Sequence, residues 1–319
     1  MSNSRFPALL WIAAAMTWGA GIACAQDFPH KPIRIVTAEP AGGNDFVARI
    51  VAQGMTGPLG QPVIVDNRGG GIISGQIVSK ASPDGYTLLM QSAAFWLGPF
   101  MRKTPYDAMK DFSPIAATAG SPHVLVVNPA LPAHSVKELV DLAKSKPGAL
   151  NYASTATGGA AHLAGELFKA MAGVDIARIP YKGVNQAVNS LIAGEVNLTF
   201  GVPNSVAPHV KSGKLRALGV TSTQPSTLFP GAPTVAATVP GYESGALYAM
   251  FAPARTPDAV INRLNREIVR VLGQADVKEK LFNTGLEIVA SSPQQLGATV
   301  KSEMERMGKV IKNAGIQAE

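Results

Sequence analysis

The feature that most limits how this chain can fold is a unit of strand, glycine-bearing loop and helix start that occurs twice. Residues 33–49 read IRIVTAEPAGGNDFVAR, which is a β-rich run, a break of proline and glycine, and a helical pattern capped by Asn44 or Asp45. Residues 150–168, LNYASTATGGAAHLAGELF, repeat the strand, a loop of Ser, Thr and Gly, and the helix.

A helix that begins directly after a glycine-rich loop exposes backbone N–H groups and the positive end of the helix dipole. Such a place suits a carboxylate or a phosphate group. Two such loops, far apart in the chain, predict two lobes. Each lobe then supplies one loop to a small anionic solute that is held between them.

The order of the elements predicts the domain organisation. The 319 residues are enough for two packed domains, and strand and helix patterns alternate along most of the chain, which predicts an α/β fold. We interpret the β runs at 123–128 and 246–252 as two crossings between lobes. The first lobe is then discontinuous, 26–124 and 248–319, the second is 125–247, and the crossings form a hinge.

Residues 1–25 have the pattern of a signal peptide, with Arg5, an apolar run, and the small-x-small site Ala23-Cys24-Ala25. The pattern predicts cleavage after Ala25 and export. Two alternatives stay open. The apolar run can serve as an uncleaved anchor, although it is near the lower length limit for a membrane span. Alternatively Cys24 carries a lipid, although Gly21 stands where a lipobox usually has Leu.

Composition and motifs narrow the function classes. Cys24 is the only cysteine, so a chain cleaved after Ala25 has no disulfide, catalytic thiolate or cysteine metal site. The net charge of +7 is spread without a basic stripe, which argues against nucleic acid as a partner. His162 and Glu166 share a helix face, but two such residues do not make a metal site. Residues 69–74 fail the dinucleotide pattern, and P-loop and nucleophile-elbow motifs are absent from the sequence, so we expect no cofactor.

Some expectations concern residues beside the two loops. A second glycine loop of the first lobe is expected at 66–71. Phe95 and Trp96 either wall the cleft or pack in the core, and the core is favoured. Tyr181 and Lys182 follow a strand, and the sequence leaves open whether they line the cleft or lie on the surface.

Short motifs over nearly the whole chain have the order and spacing of a known family, although no single motif is specific. They are KPIRIV at 31–36, PAGGND at 40–45, DNR at 66–68, PDGYTLL at 83–89, PYD at 105–107, KDF at 110–112, NY at 151–152, HLA at 162–164, PYKG at 180–183 and GKLRAL at 213–218. On these motifs the chain resembles the Bug family of periplasmic solute-binding proteins, the receptors of tripartite tricarboxylate transporters.

The resemblance implies a two-lobed α/β periplasmic binding protein fold of type II, with a ligand cleft between the lobes that closes on its ligand. Ligands of the family are mostly small carboxylates: di- and tricarboxylates, acidic amino acids, and aromatic or nicotinic acids. One carboxylate is typically held by backbone N–H groups and ordered waters. We therefore expect a periplasmic, monomeric receptor, not an enzyme, that delivers its ligand to the membrane components of a transporter.

Carried onto this chain, the resemblance gives a set of ligand-binding residues. In the first lobe they are Glu39, Pro40, Gly42, Gly43, Asn44, Asp45 and Ser92, and in the second lobe Ser154, Thr155, Thr157, Gly158, Gly159, Tyr181, Lys182, Gly201 and Asn204.

The chain departs from the family pattern at two places. The first loop of the family reads Pro-aromatic-Pro-Pro-Gly-Gly, whereas residues 37–42 read TAEPAG and are one residue shorter. Glu39 repels an anion unless it points to solvent or pairs with an ammonium group of the ligand. The second departure is Asn197, which stands where the family often has Asp.

Three functions follow as hypotheses. The leading one is a receptor that captures a small organic carboxylate and delivers it to a membrane transporter. The second is an exported enzyme that acts on a carboxylated substrate on a similar two-lobed scaffold, and the absence of a nucleophile–base motif from the sequence counts against it. The third is a sensory module that presents its ligand to a membrane signalling partner, which the sequence allows as well as transport.

Overall fold

The structure is a computed structural model, and it describes residues 28–38, 40, 42–69, 71–155 and 157–317. The strands are β1 (Ile33–Thr37), β2 (Val63–Asn67), β3 (Thr87–Ser92), β4 (Phe112–Pro122), β5 (Val124–Val127), β6 (Leu150–Ser154), β7 (Ile176–Pro180), β8 (Leu198–Gly201), β9 (Arg216–Val220), β10 (Gly245–Pro253) and β11 (Glu287–Ile288). The helices are α1 (Gly43–Leu59), α2 (Gly71–Ser79), α3 (Ala94–Leu97), α4 (Val136–Ser145), α5 (Ala160–Ala172), α6 (Val184–Ala193), α7 (Pro203–Lys211), α8 (Asp258–Leu272), α9 (Ala275–Asn283) and α10 (Pro293–Asn313). Single 3₁₀ turns lie at Gly98–Phe100 and Val235–Ala237. Within these described residues, no helix combines the length and the apolar character that a membrane crossing needs.

The strands form two sheets, which confirms the two-lobed α/β fold. The first sheet has the order β11-β4-β10-β3-β1-β2, and the second has the order β7-β6-β8-β5-β9. Strands β1, β2 and β3 are parallel, as are β6, β7 and β8, while β10 runs antiparallel to β3 and β4. We term the first sheet with α1–α3 and α8–α10 the first lobe, and the second sheet with α4–α7 the second lobe.

The chain passes between the lobes twice. The first passage is at His123, between β4 and β5, and the second lies between β9 and β10. The backbone N–H of His123 donates to Thr221 Oγ1 (2.7 Å), and the Thr221 N–H donates to the His123 carbonyl (2.9 Å), so the two passages are tied together. The expected boundary at 247/248 falls inside β10, because Gly245 already pairs with Pro122 of the first sheet.

Most elements lie where the pattern predicts them, but the pattern misses one strand and two expectations are wrong. The pattern does not indicate strand β4, because FSPIAATAGSP is rich in poor strand formers. Pairing with β10 and β11 on its two sides holds it in the sheet. Asp66 and Asn67 belong to β2 and not to a glycine loop. The N-cap of α1 is Gly42, so Asn44 and Asp45 lie in the first turn of the helix.

Helix ends distant from the loops show how the sequence sets the lengths of the helices. At the start of α10, the Ser292 hydroxyl accepts from the Gln295 N–H (3.1 Å), and the Ser292 N–H donates to the Gln295 side chain (2.8 Å). This is a complete capping box. At α4 the Ser135 hydroxyl accepts from the Glu138 N–H (3.1 Å), but the Glu138 carboxylate accepts from the N–H of His134 (2.8 Å). The Glu138 carboxylate therefore bonds to the residue before the N-cap, whereas in a capping box it would bond to the N–H of the N-cap residue Ser135 itself.

One apolar cluster runs through both lobes. It joins Trp96 and Phe251 of the first lobe to Phe168 and Phe200 of the second. Helix α10 packs against both α3 and α5, so it connects the lobes on one side of the hinge. Trp96 is fully buried and donates from Nε1 to Glu303 (2.8 Å), and Phe95 packs against Tyr106 and Phe112. The favoured interpretation of Phe95 and Trp96 as core residues is confirmed.

The departure at Asn197 has a structural cause. Its side-chain oxygen accepts from the Asn151 N–H (2.8 Å), and its own N–H donates to the Asn151 side chain (2.9 Å). These reciprocal bonds join the starts of β6 and β8. They lie at the opposite ends of the strands from the expected loops, so Asn197 aligns the second sheet and does not face the solute.

The Asn151–Asn197 pair gives a stability prediction. Asn197→Ala leaves the Asn151 N–H without its acceptor, and we expect the free energy of unfolding to fall by about 1 kcal/mol. Asn197→Asp keeps an oxygen in that place, and we expect a value within about 0.5 kcal/mol of the wild type. Urea unfolding followed by circular dichroism measures both. Equal losses in the two variants would contradict the hydrogen-bond account.

Candidate functional site

The expected loops lie at the carboxyl ends of parallel strands in both lobes. Thr37 and Ser92 end β1 and β3 in the first lobe, and Ser154 and Gly201 end β6 and β8 in the second. Ligands of open α/β sheets bind at such strand ends. The two edges face each other, because a Cβ atom added to Gly158 would lie 2.5 Å from the sulfur of Met101 in the first lobe. A cleft between lobes is therefore bordered by both sets of loops.

Helices α1, α5 and α6 begin at these edges with exposed backbone donors. Their N-caps are Gly42, Gly159 and Gly183, which have extended backbone conformations and make no side-chain cap bond. The first N–H groups of a helix have no partner within it, so they can bind an anion. A missing cap does not define a site by itself, because α8 lacks a side-chain cap as well. The distinctive feature is that three such starts meet at one cleft.

The wall of the cleft in the first lobe is polar. A cavity of about 160 Å³ is lined by Asn44, Gln91, Ser92, Arg102 and Thr104 among other residues. The Gln91 amide donates to Ser74 Oγ (2.7 Å), and its oxygen lies 3.4 Å from Asn44 Nδ2. The Asn44 side-chain oxygen is buried and has no hydrogen-bond partner among the described residues. This wall offers acceptors, donors and one guanidinium group.

Tyr248 closes the first-lobe side of the cleft beside α1. It pairs with Ser92 across β3 and β10, and its hydroxyl occupies the space that a side chain at Gly43 would need. Burial raises the pKa of Tyr248, so the phenol stays neutral and keeps its proton. Glycine at position 43 therefore lets the hydroxyl lie directly against the helix start.

Arg178 in β7 organises the loop of the second lobe. Its guanidinium donates to Ser154 Oγ (2.7 Å), to the Thr155 carbonyl (2.8 Å) and to Thr157 Oγ1 (3.3 Å). In the described part of the chain it forms no ion pair with a carboxylate, so its charge is available to an anion in the cleft. Three bonds from one rigid fork also fix the loop that precedes α5.

A second cavity of about 120 Å³ lies behind that loop. It is lined by His123, Ser154, Thr155, Thr199 and the first residues of α5, Ala160 and Ala161. Thr199 Oγ1 donates to the Ala153 carbonyl (2.8 Å) and Ser154 Oγ accepts from Arg178, so the Ser154 hydroxyl retains its own proton for donation. The two cavities lie one in each lobe, each beside the carboxyl ends of that lobe's parallel strands.

Some expected residues have other partners. Asp45 is buried and accepts from Arg49 (3.1 Å) and Asn67 (2.9 Å), which directs it toward β2. The Gly158 N–H donates to His162 Nδ1 (3.0 Å). Asn204 packs near Gly285 of the first lobe. The Asp45 carboxylate and the Gly158 N–H are therefore engaged within the protein, whereas Asn204 only lies beside the first lobe.

The remaining expected residues lie on or near the two edges. Glu39 lies outside the described residues. The others are Pro40, Gly42, Gly43, Asn44 and Ser92 in the first lobe, and Ser154, Thr155, Thr157, Gly159, Tyr181, Lys182 and Gly201 in the second. The Tyr181 N–H donates to the Ser154 carbonyl (2.8 Å), so its backbone braces the loop, and Lys182 is exposed.

No motif or local pattern points to Arg102, Arg178, Gln91 or Tyr248 as site residues. Arg178 lies inside a strand, where alternation predicts only that it faces one side of the sheet, and its role depends on the parallel register that puts β7 beside β6. Across the described ranges, no three His, Cys, Asp or Glu side chains come together as a metal site.

Comparisons with known proteins show which chains this one is similar to. The model of the tripartite tricarboxylate transporter family receptor matches residues 47–316. Protein BugT of Bordetella pertussis (strain Tohama I) is 35% identical over 322 residues, which cover 99% of this chain and 99% of that protein. The structure of R. palustris Rpa4515 with adipate is 33% identical, has a TM-score of 0.70, and covers 92% of this chain and 100% of that one. MatC (Rpa3494) from Rhodopseudomonas palustris with bound malate is 27% identical, has a TM-score of 0.66, and covers 89% and 100%.

His162 gives a pH prediction. Burial and then the neighbouring Arg178 lower the pKa of His162 to about 4, whereas its ordinary value is 6.5. The unfolded chain therefore binds a proton at this residue between pH 6.5 and 4 while the folded chain does not, and folding stability falls as the pH drops through that window. His162→Asn keeps an acceptor for the Gly158 N–H and does not titrate. We expect the unfolding midpoint in urea to fall less between pH 6.5 and 4 in this variant than in the wild type. The same decrease in both proteins would rule out His162 as a source of the pH dependence.

Proposed function

The chain belongs to the family of tripartite tricarboxylate transporter receptors, and from this premise we propose that its lobes clamp one small organic carboxylate between the starts of α1 and α5. Receptors of this family are periplasmic and bind small carboxylates for a tripartite transporter. The chain is accordingly a solute-binding receptor and not an enzyme. The clamp itself, with its residues, is what we add to the family assignment.

The observation that carries the proposal is the meeting of uncapped helix starts with two arginines. Gly42 and Gly159 begin α1 and α5 without side-chain caps. Arg102 lines the first-lobe cavity, and Arg178 holds the second-lobe loop. A charge-assisted hydrogen bond contributes about 1.5–3 kcal/mol. Three such bonds and closure of the lobes give a binding free energy on the order of −8 kcal/mol, a micromolar Kd.

The charges favour a dicarboxylate. The solute in Rpa4515 is adipate and that in MatC is malate, and both molecules have two carboxylates. In this chain Arg102 and Arg178 lie in different lobes, and neither forms an ion pair with a described carboxylate. One carboxylate at the α5 loop and a second near Arg102 match this arrangement. A ligand with two acidic ends would therefore draw the lobes together.

The proposal extends to the organisation of the mature protein. We propose that a signal peptide is removed after Ala25 and that the receptor is a monomer that docks on the membrane components of a tripartite tricarboxylate transporter. The first lobe then comprises 26–122 and 245–319 and the second 124–244, which differs from the expected division of 26–124 with 248–319, and 125–247. The chain leaves the first sheet at His123 and returns to it at Gly245, and this supports a hinge at these two places.

A thermal-shift screen tests the function. Residues 26–319 are unfolded and refolded to remove any carried ligand, and are then mixed with dicarboxylates, citrate, acidic amino acids, benzoate or nicotinate. A ligand at a hundredfold excess over its Kd adds about 2.7 kcal/mol of stability, which is several degrees in Tm. Sugars and neutral amino acids serve as controls. A shift from a neutral or cationic solute alone would refute the carboxylate clamp.

The arginines provide a mutational test with a matched control. Arg178→Gln removes the charge beneath the α5 loop, and we expect the Kd for the most stabilising dicarboxylate to rise about 10–100-fold. Arg102→Gln removes the charge in the other lobe, and we expect an increase of about tenfold. Arg266→Gln changes the net charge equally on the exposed side of α8 and should leave the Kd unchanged. Titration calorimetry measures all three. Similar losses in all three variants would mean that overall charge, and not the clamp, governs affinity.

A further inference from the structure

The hinge contains His123, whose side chain takes no part in the ligand loops described above. His123 lies between β4 and β5, and it is only 2% exposed. Its backbone N–H and carbonyl both bond to Thr221, so the backbone alone ties the two passages between lobes. Leu125 and Val127, which follow on the same side of β5, are apolar core residues. The polar ring at position 123 is therefore not needed to hold the hinge.

The ring nitrogen Nδ1 of His123 is buried and has no hydrogen-bond partner in the part of the chain that the structure describes. Buried polar atoms in folded proteins normally have a partner, so an exception calls for an explanation. Burial lowers the pKa of His123 to about 4, and the ring is therefore neutral at pH 7 with one N–H donor and one acceptor nitrogen.

His123 lines the second-lobe cavity together with groups suited to a carboxylate. The cavity is about 120 Å³, roughly four times the ~30 Å³ that one water takes in the liquid, so it admits a carboxylate with adjoining carbons. Ser154 offers a hydroxyl proton, and Ala160 and Ala161 are the first residues of α5, where N–H groups are exposed. The Thr199 hydroxyl already donates its hydrogen bond to the Ala153 carbonyl, so it is not a donor for the ligand.

We propose that His123 is a ligand contact of the receptor, and that its imidazole ring donates a hydrogen bond to a carboxylate oxygen that enters the second-lobe cavity. This inference rests on the proposed function and adds a specificity-determining residue to it. The contact comes from the hinge and not from the loops, so it reaches the solute from the floor of the cleft. A solute whose carboxylate does not reach the floor loses this bond.

The test combines binding with stability in the absence of solute. Wild type, His123→Leu and His123→Asn are prepared as residues 26–319 and titrated by calorimetry with adipate, malate and citrate. The leucine has no donor, so we expect its Kd for the best of these probes to rise about tenfold or more. The asparagine amide nitrogen lies near the position of Nδ1, so we expect its Kd to stay within about threefold of the wild type.

Stability separates a ligand contact from a structural residue. Without solute, Nδ1 bonds to nothing described, so we expect the Tm of His123→Leu to equal or exceed that of the wild type. Wild-type affinity in His123→Leu, while the wild type itself binds a probe, would overturn the inference and leave the proposed function standing. Equal weakening in the leucine and asparagine variants with a lowered ligand-free Tm would also overturn it, since that is the result of a structural role. A wild type that binds none of the probes would defeat the proposed function, and this inference with it.

Discussion

The backbone N–H groups at the starts of α1 and α5 lack partners inside their helices, and the rest of the receptor is arranged around that fact. Parallel strands bring both starts to sheet edges that face each other across the cleft. Glycine at the N-caps leaves the donors uncovered, and glycine at position 43 lets Tyr248 lie against the first of them. An anion in the cleft satisfies donors from both lobes at once, which is how a solute can couple binding to closure.

The two lobes prepare their donors differently. In the second lobe, Arg178 binds Ser154, Thr155 and Thr157, so the loop is held in shape before a solute arrives. In the first lobe, Arg102 is exposed, and the first turn of α1 is anchored by Asp45, which accepts from Asn67 of β2. A preformed half-site reduces the ordering that binding requires.

Local patterns in the sequence predicted much of this. Glycine breaks and cap residues placed the loops and most helices, and the two-lobed fold and the receptor family are confirmed. The pattern does not indicate strand β4, because alanine, glycine and proline are poor strand formers. Pairing with the neighbouring strands stabilises it in the sheet. The pattern predicts Asn44 or Asp45 as the N-cap because either side chain suits that role, whereas in the fold Asn44 bonds to Gln91 and Asp45 to Asn67. The roles of Arg178 and His123 cannot be predicted from local patterns for a different reason. The role of Arg178 depends on strand register and that of His123 on the hinge, and neither is a local property of the sequence.

Closure of the lobes on a carboxylate is the central claim, and the distance between the lobes tests it most directly. Residues 26–319 contain no cysteine, so spin labels can be attached at Lys80→Cys in the first lobe and Glu195→Cys in the second, both exposed positions. Pulsed dipolar electron paramagnetic resonance then gives the label-to-label distance without and with the carboxylate that stabilises the protein most. The account predicts a shorter and narrower distance distribution when the solute is bound. An unchanged distribution at saturating solute would show that the carboxylate binds without joining the two lobes, and would contradict the clamp.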